Sequence, residues 1–436
     1  MNAQILALYD LTGIQRYIFQ TSKLKDIIGA SELVGNALQE KIEETPGSKN
    51  LLYTGGGNAV LGFAGKEEWK AFNTAFSKKL LLEIPGLSFV TVCNDEAGDK
   101  ISVRIEDLFA EIARKKSLGG DDCSITTLPP MAQSASERLP VVIIAKEGED
   151  ADVAEYSHPA WVKWEKGKEK TSESDHPVEF DNIAEKPKYL KKAERIMAVV
   201  HIDGNQMGNL FMKACEKADS LEDIKALSEA IDAVFNTAYR DFFDKCHDAH
   251  ERWRKIYVSG DDVTYVCHGV YALKSAVNFL KALDDIRKNY PQLQGFSASA
   301  GIAYVKPHFP FYKAYERAER CCKEAKIKAR EQAGSSWVNF EIVRGSLNAD
   351  ASKLLRNRPY CVTGHGNRDY KKLLEWLEII NGGAGARSKW KELRNAYLMG
   401  NADSVKLLMG SRGMPDINGE DPIVLDALDL MDVEVK

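Results

Sequence analysis

The chain has 436 residues, of which 44% are hydrophobic and 28% are charged, with a formal net charge of −5. This balance argues against a broadly basic nucleic-acid-binding surface, and the length allows roughly two to four domains. No run approaches the roughly 18–20 apolar residues of a membrane helix, and the N-terminus lacks a signal-peptide pattern, so we expect a cytoplasmic protein without membrane association. The eight cysteines include no Cys-x-x-Cys pair, which argues against a four-cysteine zinc site.

The first part of the chain contains the elements of one β-α-β-β-α-β module. Residues 5–10 form an apolar strand that ends in an aspartate, and residues 53–63 have the pattern of a β-hairpin with a glycine-rich turn. An amphipathic helix is predicted over residues 67–82, and a further strand is predicted over residues 88–93.

The segment after this module has a different character. Residues 108–116 are predicted to end a helix and residues 139–145 to form a strand, whereas the rest is rich in Lys and Glu with little apolar periodicity. Trp161 and Trp164 indicate that the segment docks against the protein. The string Gly119-Gly120-Asp121-Asp122 is similar to a metal-binding hairpin, but it lacks flanking strands, so a surface turn is the favoured interpretation.

The middle of the chain repeats the order of the first module. A strand over residues 196–202 ends in Asp203-Gly204, and residues 256–267 form a second predicted hairpin. A helix follows over residues 271–289 and a strand over residues 296–304. The matching order and spacing predict a duplicated module of ferredoxin-like type.

The two predicted hairpins differ at their turns. In the alignment of the two modules, Gly57-Asn58 take the places of Asp261-Asp262, so only the second copy has the carboxylate pair. A tight turn that needs positive φ is the favoured interpretation of Gly55-Gly56-Gly57, and close approach of a nucleotide or another chain is the alternative.

The predicted fold class is α+β, with two ferredoxin-like palm domains and a C-terminal α-helical domain. A helix over residues 311–332 and a strand over residues 337–343 complete the second palm, and helical patterns follow at 370–380, 388–399 and 402–409. The predicted segments are a degenerate first palm at 1–105, an insertion at 106–195, a catalytic second palm at 196–345 and the helical domain at 346–436.

Asp203 and the pair Asp261-Asp262 are the predicted catalytic residues and metal ligands. Adjacent carboxylates repel each other unless a cation compensates, and Mg²⁺ or Mn²⁺ prefers such hard oxygen ligands. Two ions in one site can activate a ribose hydroxyl and neutralise a triphosphate, which predicts phosphoryl transfer on a nucleotide. Backbone N–H groups at the glycines and the helix start after Asp203 can face phosphates. The predicted nucleotide-binding residues are Gly204, Asn205, Gln206, Met207, Gly208, Ser259, Gly260 and Lys326.

Two further features have competing interpretations. Lys323 and Lys326 lie on the helix after the last strand of the second palm, where either one can reach a phosphate or simply belong to a solvated basic face. His247-Asp248 is the only His-Asp pair, and an exposed helix is favoured there over a nuclease site. The sequence contains neither a Walker loop nor a Gly-x-Ser-x-Gly elbow.

Several motifs together resemble a known family. In the first half they are residues 10–19, residues 24–34 and Gly55-Gly56-Gly57-Asn58. In the second half they are Asp203-Gly204-Asn205-Gln206-Met207-Gly208, Ser259-Gly260-Asp261-Asp262, and the stretch from Ala300-Gly301-Ile302-Ala303 to Ala325-Lys326. They resemble the large polymerase/cyclase subunit of type III CRISPR effector complexes, the CRISPR polymerase. They are more distantly similar to the diguanylate cyclases with a Gly-Gly-Asp-Glu-Phe hairpin.

The resemblance implies that the second palm, with two Mg²⁺ or Mn²⁺ ions, converts ATP into a cyclic oligoadenylate or a related cyclic nucleotide, an antiviral second messenger. It also implies guide or target RNA and other CRISPR effector subunits as partners, and a homodimer is left open. A catalytically silent RNA-binding scaffold, a free-standing cyclic dinucleotide synthase and a GTP-using cyclase are the alternatives.

The sequence departs from the family pattern at identifiable positions. Ser259 replaces the first glycine of the usual Gly-Gly-Asp-Asp, and Asn205 stands where the family often has a second aspartate. The chain begins almost at the first palm, and the Cys-x-x-Cys elements between the palms are absent, so we expect a compact member without the HD nuclease domain.

Overall fold

The structure is a computed structural model of the chain. It describes residues 5–47, 51–55, 57–94, 101–118, 131–146, 153–172, 176–185, 194–210, 213, 221–245, 252–343, 357–364, 368–382, 387–398, 405, 407–408, 410 and 422–433. The predicted turn at Gly119-Gly120-Asp121-Asp122, the His247-Asp248 pair and most of the predicted helix at 402–409 lie outside the described residues.

Helices and strands alternate through most of the described chain. The strands are β1 (Ile5–Thr12), β2 (Leu51–Gly55), β3 (Asn58–Phe63), β4 (Ser88–Asn94), β5 (Ile143–Lys146), β6 (Val153–Tyr156), β7 (Met197–Gly204), β8 (Trp253–Ser259), β9 (Asp262–His268), β10 (Ala298–Val305), β11 (Ser336–Ile342) and β12 (Tyr360–Thr363). The helices are α1 (Ile14–Phe19), α2 (Leu24–Glu43), α3 (Lys66–Glu83), α4 (Ile101–Ser117), α5 (His158–Ser172), α6 (Phe180–Ala184), α7 (Leu221–Lys245), α8 (Gly269–Ile286), α9 (Phe311–Glu331), α10 (Tyr370–Asn381), α11 (Arg387–Leu398) and α12 (Pro422–Leu430).

The first palm is a four-stranded sheet in the order β2-β3-β1-β4. The central strand β1 pairs antiparallel with both β3 and β4, and its register places Asp10 opposite Asn58. Alternate side chains of β1 pack into two different hydrophobic cores, because successive residues of a strand point to opposite faces of the sheet. Leu6 and Leu8 pack in a cluster with α4, whereas Tyr9 packs against the aromatic rings of α3.

The second palm repeats this topology within a larger sheet of order β12-β11-β10-β7-β9-β8. Its four strands β8-β9-β7-β10 have the order that β2-β3-β1-β4 have in the first palm. Every residue of β10 and nearly every residue of β7 is buried, as expected for central strands covered on both faces. The α+β fold is confirmed, and the repeated strand order supports the predicted duplication.

The sequence predicts a helical C-terminal region, but the structure also contains one strand there. Residues Tyr360–Thr363 form β12, which pairs antiparallel with β11 and extends the sheet of the second palm by one strand. Four residues are too short for a periodicity signal, so the helical patterns on either side dominate the prediction. The buried Asp426 of α12 anchors this strand by accepting a 2.8 Å hydrogen bond from the Tyr360 hydroxyl.

The insertion docks as the tryptophans predicted. Trp164 on α5 is 4% exposed, and it packs with Trp161 and Tyr156. The backbones of the helices α2 and α5 approach closely at Gly29, where an added Cβ would lie 1.8 Å from the carbonyl oxygen of Lys163. The first strand of the insertion begins later than predicted, at Ile143 rather than residue 139.

The chain divides into two compact units. Unit 1 comprises Met1–Glu179, Gln206–Asn236 and Lys255–Val263, and unit 2 comprises Phe180–Asn205, Thr237–Arg254 and Thr264–Lys436. The bounds of the four predicted segments stay predictions. Among the described helices, none combines the length and apolar character needed to cross a membrane.

Candidate active site

The carboxylate pair of the second palm lies at the predicted hairpin turn. Strand β8 ends at Ser259 and β9 begins at Asp262, so Gly260 and Asp261 form a two-residue turn. Gly260 has a φ of 57°, a conformation that glycine adopts without steric cost. Asp261, the second turn residue, is not among the residues with positive φ, so its position accepts a side chain.

The hairpin of the first palm has the same length but places its positive φ differently. Strand β2 ends at Gly55 and β3 begins at Asn58, again with two residues between them. Here the second turn residue, Gly57, has a φ of 81°. A Cβ on Gly57 would lie 3.0 Å from a methyl carbon of Ile14. The tight-turn interpretation of this glycine is therefore supported, and an aspartate at position 57 would be strained.

Asp203 forms an ion pair with Lys326. Asp203 is the penultimate residue of β7, and Lys326 lies on α9, whose inner face packs against β10 and β7. The two side chains are 32% and 20% exposed, so solvent still reaches the pair. The lysine predicted to bind phosphate thus contacts a predicted metal ligand, and a cationic group already compensates the charge of Asp203. Lys323 instead pairs with Glu319 and is 66% exposed.

The first palm has the same arrangement at the equivalent positions. Asp10 on β1 forms an ion pair with Lys116, which lies on α4, the helix that follows the fourth strand as α9 does in the second palm. Burial raises the pKa of the Asp10 carboxyl, and Lys116 beside it acts in the opposite direction. Lys116 was missed at the sequence level, although its place on the helix equivalent to that of Lys326 is a usable signal.

Asn205 supports the turn after Asp203 from within the sheet. Its side-chain amide donates to the Ser297 hydroxyl at 2.9 Å and accepts from the Ser299 hydroxyl at 2.8 Å. Its backbone N–H donates to the Ser297 carbonyl at 2.8 Å. Asn205 is therefore engaged with the start of β10, and its nucleotide contact stays a prediction.

The turn continues through a strained residue. Gln206 has a φ of 55°, which is uncommon for a residue other than glycine and costs roughly 1–3 kcal/mol where the surroundings impose it. Such outliers concentrate at ligand-binding turns. Its side chain is exposed, Gly208 is exposed too, and Met207 is half-buried. Nucleotide binding by this turn and by Ser259 stays a prediction.

The metal-binding role of the three aspartates stays a prediction. Asp203 belongs to unit 2, whereas Asp261 and Asp262 belong to unit 1. Across the described ranges, no group of three or more His, Cys, Asp or Glu side chains is arranged to hold a metal ion. The donor chemistry still suits a hard divalent cation, since Asp203 already holds a cationic group and the turn carries two further carboxylates.

Comparison with known proteins connects this topology to a family. Residues 196–333 match the family model of the Cas10/Cmr2 second palm domain. No curated protein sequence matches the chain.

Solved structures share the fold over the whole chain. Csm1 of T. onnurineus is 14% identical, with a TM-score of 0.60 over 99% of this chain and 69% of that one. A Csm1–Csm4 cassette in complex with one ATP is 16% identical, with a TM-score of 0.59 over 100% and 70% of the two chains. A Csm1–Csm4 cassette in complex with cA4 is 15% identical, with a TM-score of 0.58 over the same shares. The predicted resemblance is confirmed: residues 196–333 match the Cas10/Cmr2 second palm domain, and the chain has the fold of Csm1.

Proposed function

We propose that the protein is a divalent-metal-dependent nucleotidyl cyclase that joins ATP molecules into a cyclic oligoadenylate or a related cyclic nucleotide. One observation carries the proposal: the two palms share their topology and their Asp–Lys pair, but only the second palm has carboxylates at its hairpin turn. The likeness to Csm1–Csm4 cassettes in complex with ATP and with cA4 favours adenine nucleotides as ligands. Other subunits of a type III effector complex are the proposed partners.

The first palm suggests which carboxylates of the second palm bind the metal ions. Asp10 faces Asn58 across β1 and β3, and β7 lies beside β9 in the second sheet as β1 lies beside β3 in the first. By that correspondence Asp203, Asp262 and the preceding Asp261 are the proposed ligands. These carboxylates would hold bound divalent ions. The ions would neutralise phosphate charge and lower the pKa of the attacking hydroxyl.

The residues of the chain have distinct roles in the proposed reaction. A ribose hydroxyl oxygen of one nucleotide forms a bond to the α-phosphorus of another. The bond from that phosphorus to pyrophosphate breaks, and the hydroxyl proton passes to solvent. Lys326 supplies a fixed positive charge beside Asp203 for the triphosphate. The turn after Asp203 orients the nucleotide through backbone N–H groups.

A product assay tests the proposal. The protein is incubated with each of the four nucleoside triphosphates and Mg²⁺ or Mn²⁺, with and without RNA, and the products are identified by mass spectrometry. We expect pyrophosphate and a cyclic adenylate. Asp261→Asn and Asp262→Asn should each reduce turnover on the order of 10³-fold, which corresponds to about 4 kcal/mol of lost transition-state stabilisation.

The matched control is Asp285→Asn, which removes a 76% exposed carboxylate from the same palm and should leave turnover within about twofold. Full activity in both hairpin variants would contradict the site assignment. Absence of product from all four nucleotides, with and without RNA, would contradict the cyclase proposal and leave a silent scaffold. Activity only with RNA would identify RNA as the trigger.

A further inference from the structure

The candidate hairpin is held from outside its own sheet. The hydroxyl of Ser31 on α2 donates a hydrogen bond to the carbonyl of Ile256 on β8. On α7, the carboxylate of Asp232 accepts a hydrogen bond from the backbone N–H of Gly260 in the turn. These residues all belong to unit 1. A two-residue turn normally exposes its backbone N–H groups to water, so a side chain that accepts from Gly260 constrains the turn at its tip.

The same face of α7 also contacts the hairpin of the first palm. Ser228 lies four residues before Asp232, and residues at this spacing are neighbours on one helix face. The Ser228 hydroxyl donates to the carbonyl oxygen of Thr54 on β2 at 3.2 Å, and Ser228 is 7% exposed. One helix face therefore makes a hydrogen bond to each of the two hairpins, one to a strand and one to a turn.

Asp232 is ionised at the pH of the test described below. The side chain is half-buried, and burial raises the pKa of Asp232 to about 6, while the Gly260 N–H acts in the opposite direction. At pH 8 the group is therefore ionised, and an ionised carboxylate is the stronger acceptor.

We infer that Asp232 is a positioning residue, whose carboxylate holds the Gly260 amide and thereby fixes the turn that presents Asp261 and Asp262. The inference rests on the proposed function only in naming the turn as the catalytic one. The hydrogen bond itself is a property of the folded chain. Its sequence signal is faint, because an aspartate in the middle of a long amphipathic helix resembles any solvent-facing residue.

The test compares Asp232→Ala with Asp232→Asn. Asparagine retains an acceptor oxygen without the charge, whereas alanine removes the acceptor. Hydrogen–deuterium exchange is measured at pH 8 on peptides covering residues 255–265 of the full-length protein. We expect exchange at the turn to accelerate on the order of tenfold or more in the alanine variant, as for loss of a charge-assisted hydrogen bond, and to stay near wild type in the asparagine variant.

Activity gives a second readout. The alanine variant should lose turnover, about tenfold, with little change in the KM for ATP, because the reacting geometry is disturbed rather than nucleotide binding. The control is Glu229→Gln, which removes an exposed carboxylate one turn away on α7 and should change neither readout.

The possible outcomes separate this inference from the proposed function. Unchanged exchange in Asp232→Ala would overturn the inference, and so would equal acceleration in the alanine and asparagine variants. If the wild-type protein makes no cyclic product, the proposed function fails, yet the exchange experiment still decides whether Asp232 holds the turn. If the alanine variant does not fold, Asp232→Asn with wild-type exchange and turnover within threefold of wild type supports the acceptor role, and a larger loss overturns it.

Discussion

Replacing Gly29 by alanine tests the docking of the insertion on the first palm. Real Cβ contacts stay above 3.0 Å, and the new Cβ would lie 1.8 Å from the Lys163 carbonyl oxygen and 2.5 Å from the Gly167 nitrogen. Because all these neighbours are backbone atoms, no side-chain rotation relieves the clash, and the helices α2 and α5 must separate by ~1.2 Å. Overpacking costs typically 1–3 kcal/mol, and a contact between two backbones belongs at the upper end of that range.

A loss of about 3 kcal/mol lowers the Tm of a unit of about 200 residues by roughly 6–12 °C. The matched control is Gly35→Ala on the same helix, where an added Cβ meets nothing within 4 Å. That substitution should stabilise α2 by about 0.5–1 kcal/mol, because alanine loses less backbone entropy than glycine in a helix. Thermal unfolding and hydrogen exchange over α5 measure both effects. If Gly29→Ala melts within 2 °C of wild type with unchanged α5 exchange, the close helix crossing is refuted.

Three further predictions follow from buried or paired groups. Lys326→Ala should lower cyclase turnover at least tenfold, because it removes the positive charge beside the candidate site, whereas Lys323→Ala on the same helix should change it less than twofold. Burial lowers the pKa of His268 to about 4, so the unfolded chain binds this proton between pH 6.5 and 4 and the folded chain does not. As the pH falls from 6.5 to 4, the free energy of unfolding should therefore fall by up to about 3 kcal/mol. His268→Asn should abolish that part of the pH dependence. Glu137→Gln should cost about 3–5 kcal/mol, since it leaves the buried Lys163 ammonium without its carboxylate, and adding Lys163→Met should recover most of the loss in a thermal melt.

Each of these predictions has an outcome that contradicts it. Equal turnover in the two lysine variants would mean that Lys326 only neutralises its aspartate. Parallel pH–stability curves for wild type and His268→Asn would show that this imidazole does not stay neutral in the folded state. A Glu137→Gln protein that melts within 2 °C of wild type would mean that the Lys163 ammonium reaches solvent after all.

The sequence predicts those features whose signals are local. The strands that carry Asp10 and Asp203 and the two hairpins depend on short apolar runs and turn residues, and the structure contains them all. The repeated order of elements then predicts the topology, because a β-α-β-β-α-β unit has few ways to fold. The likeness of the two halves is therefore predictable from the sequence alone.

The missed features depend on contacts between distant parts of the chain. Lys116 lies 106 residues from Asp10, and only its place on the helix equivalent to α9 indicates that pairing. Helix α5 carries a weak apolar pattern because its docking face includes Gly167 and the aliphatic part of Lys163, which a periodicity analysis counts as non-apolar. The contact of Asp232 also depends on a distant part of the chain, since its partner is the backbone amide of Gly260 in the hairpin turn.

The different turns of the two hairpins bear on the evolutionary history of the chain. If the two palms descend from one ancestor, the first palm has not merely lost an aspartate at position 57. Its backbone has since settled at a φ of 81°, with the Ile14 side chain against the place where a new Cβ would go. A single reversion to aspartate would therefore meet an unfavourable backbone conformation and the Ile14 methyl group. Recovering the aspartate is thus harder than losing it.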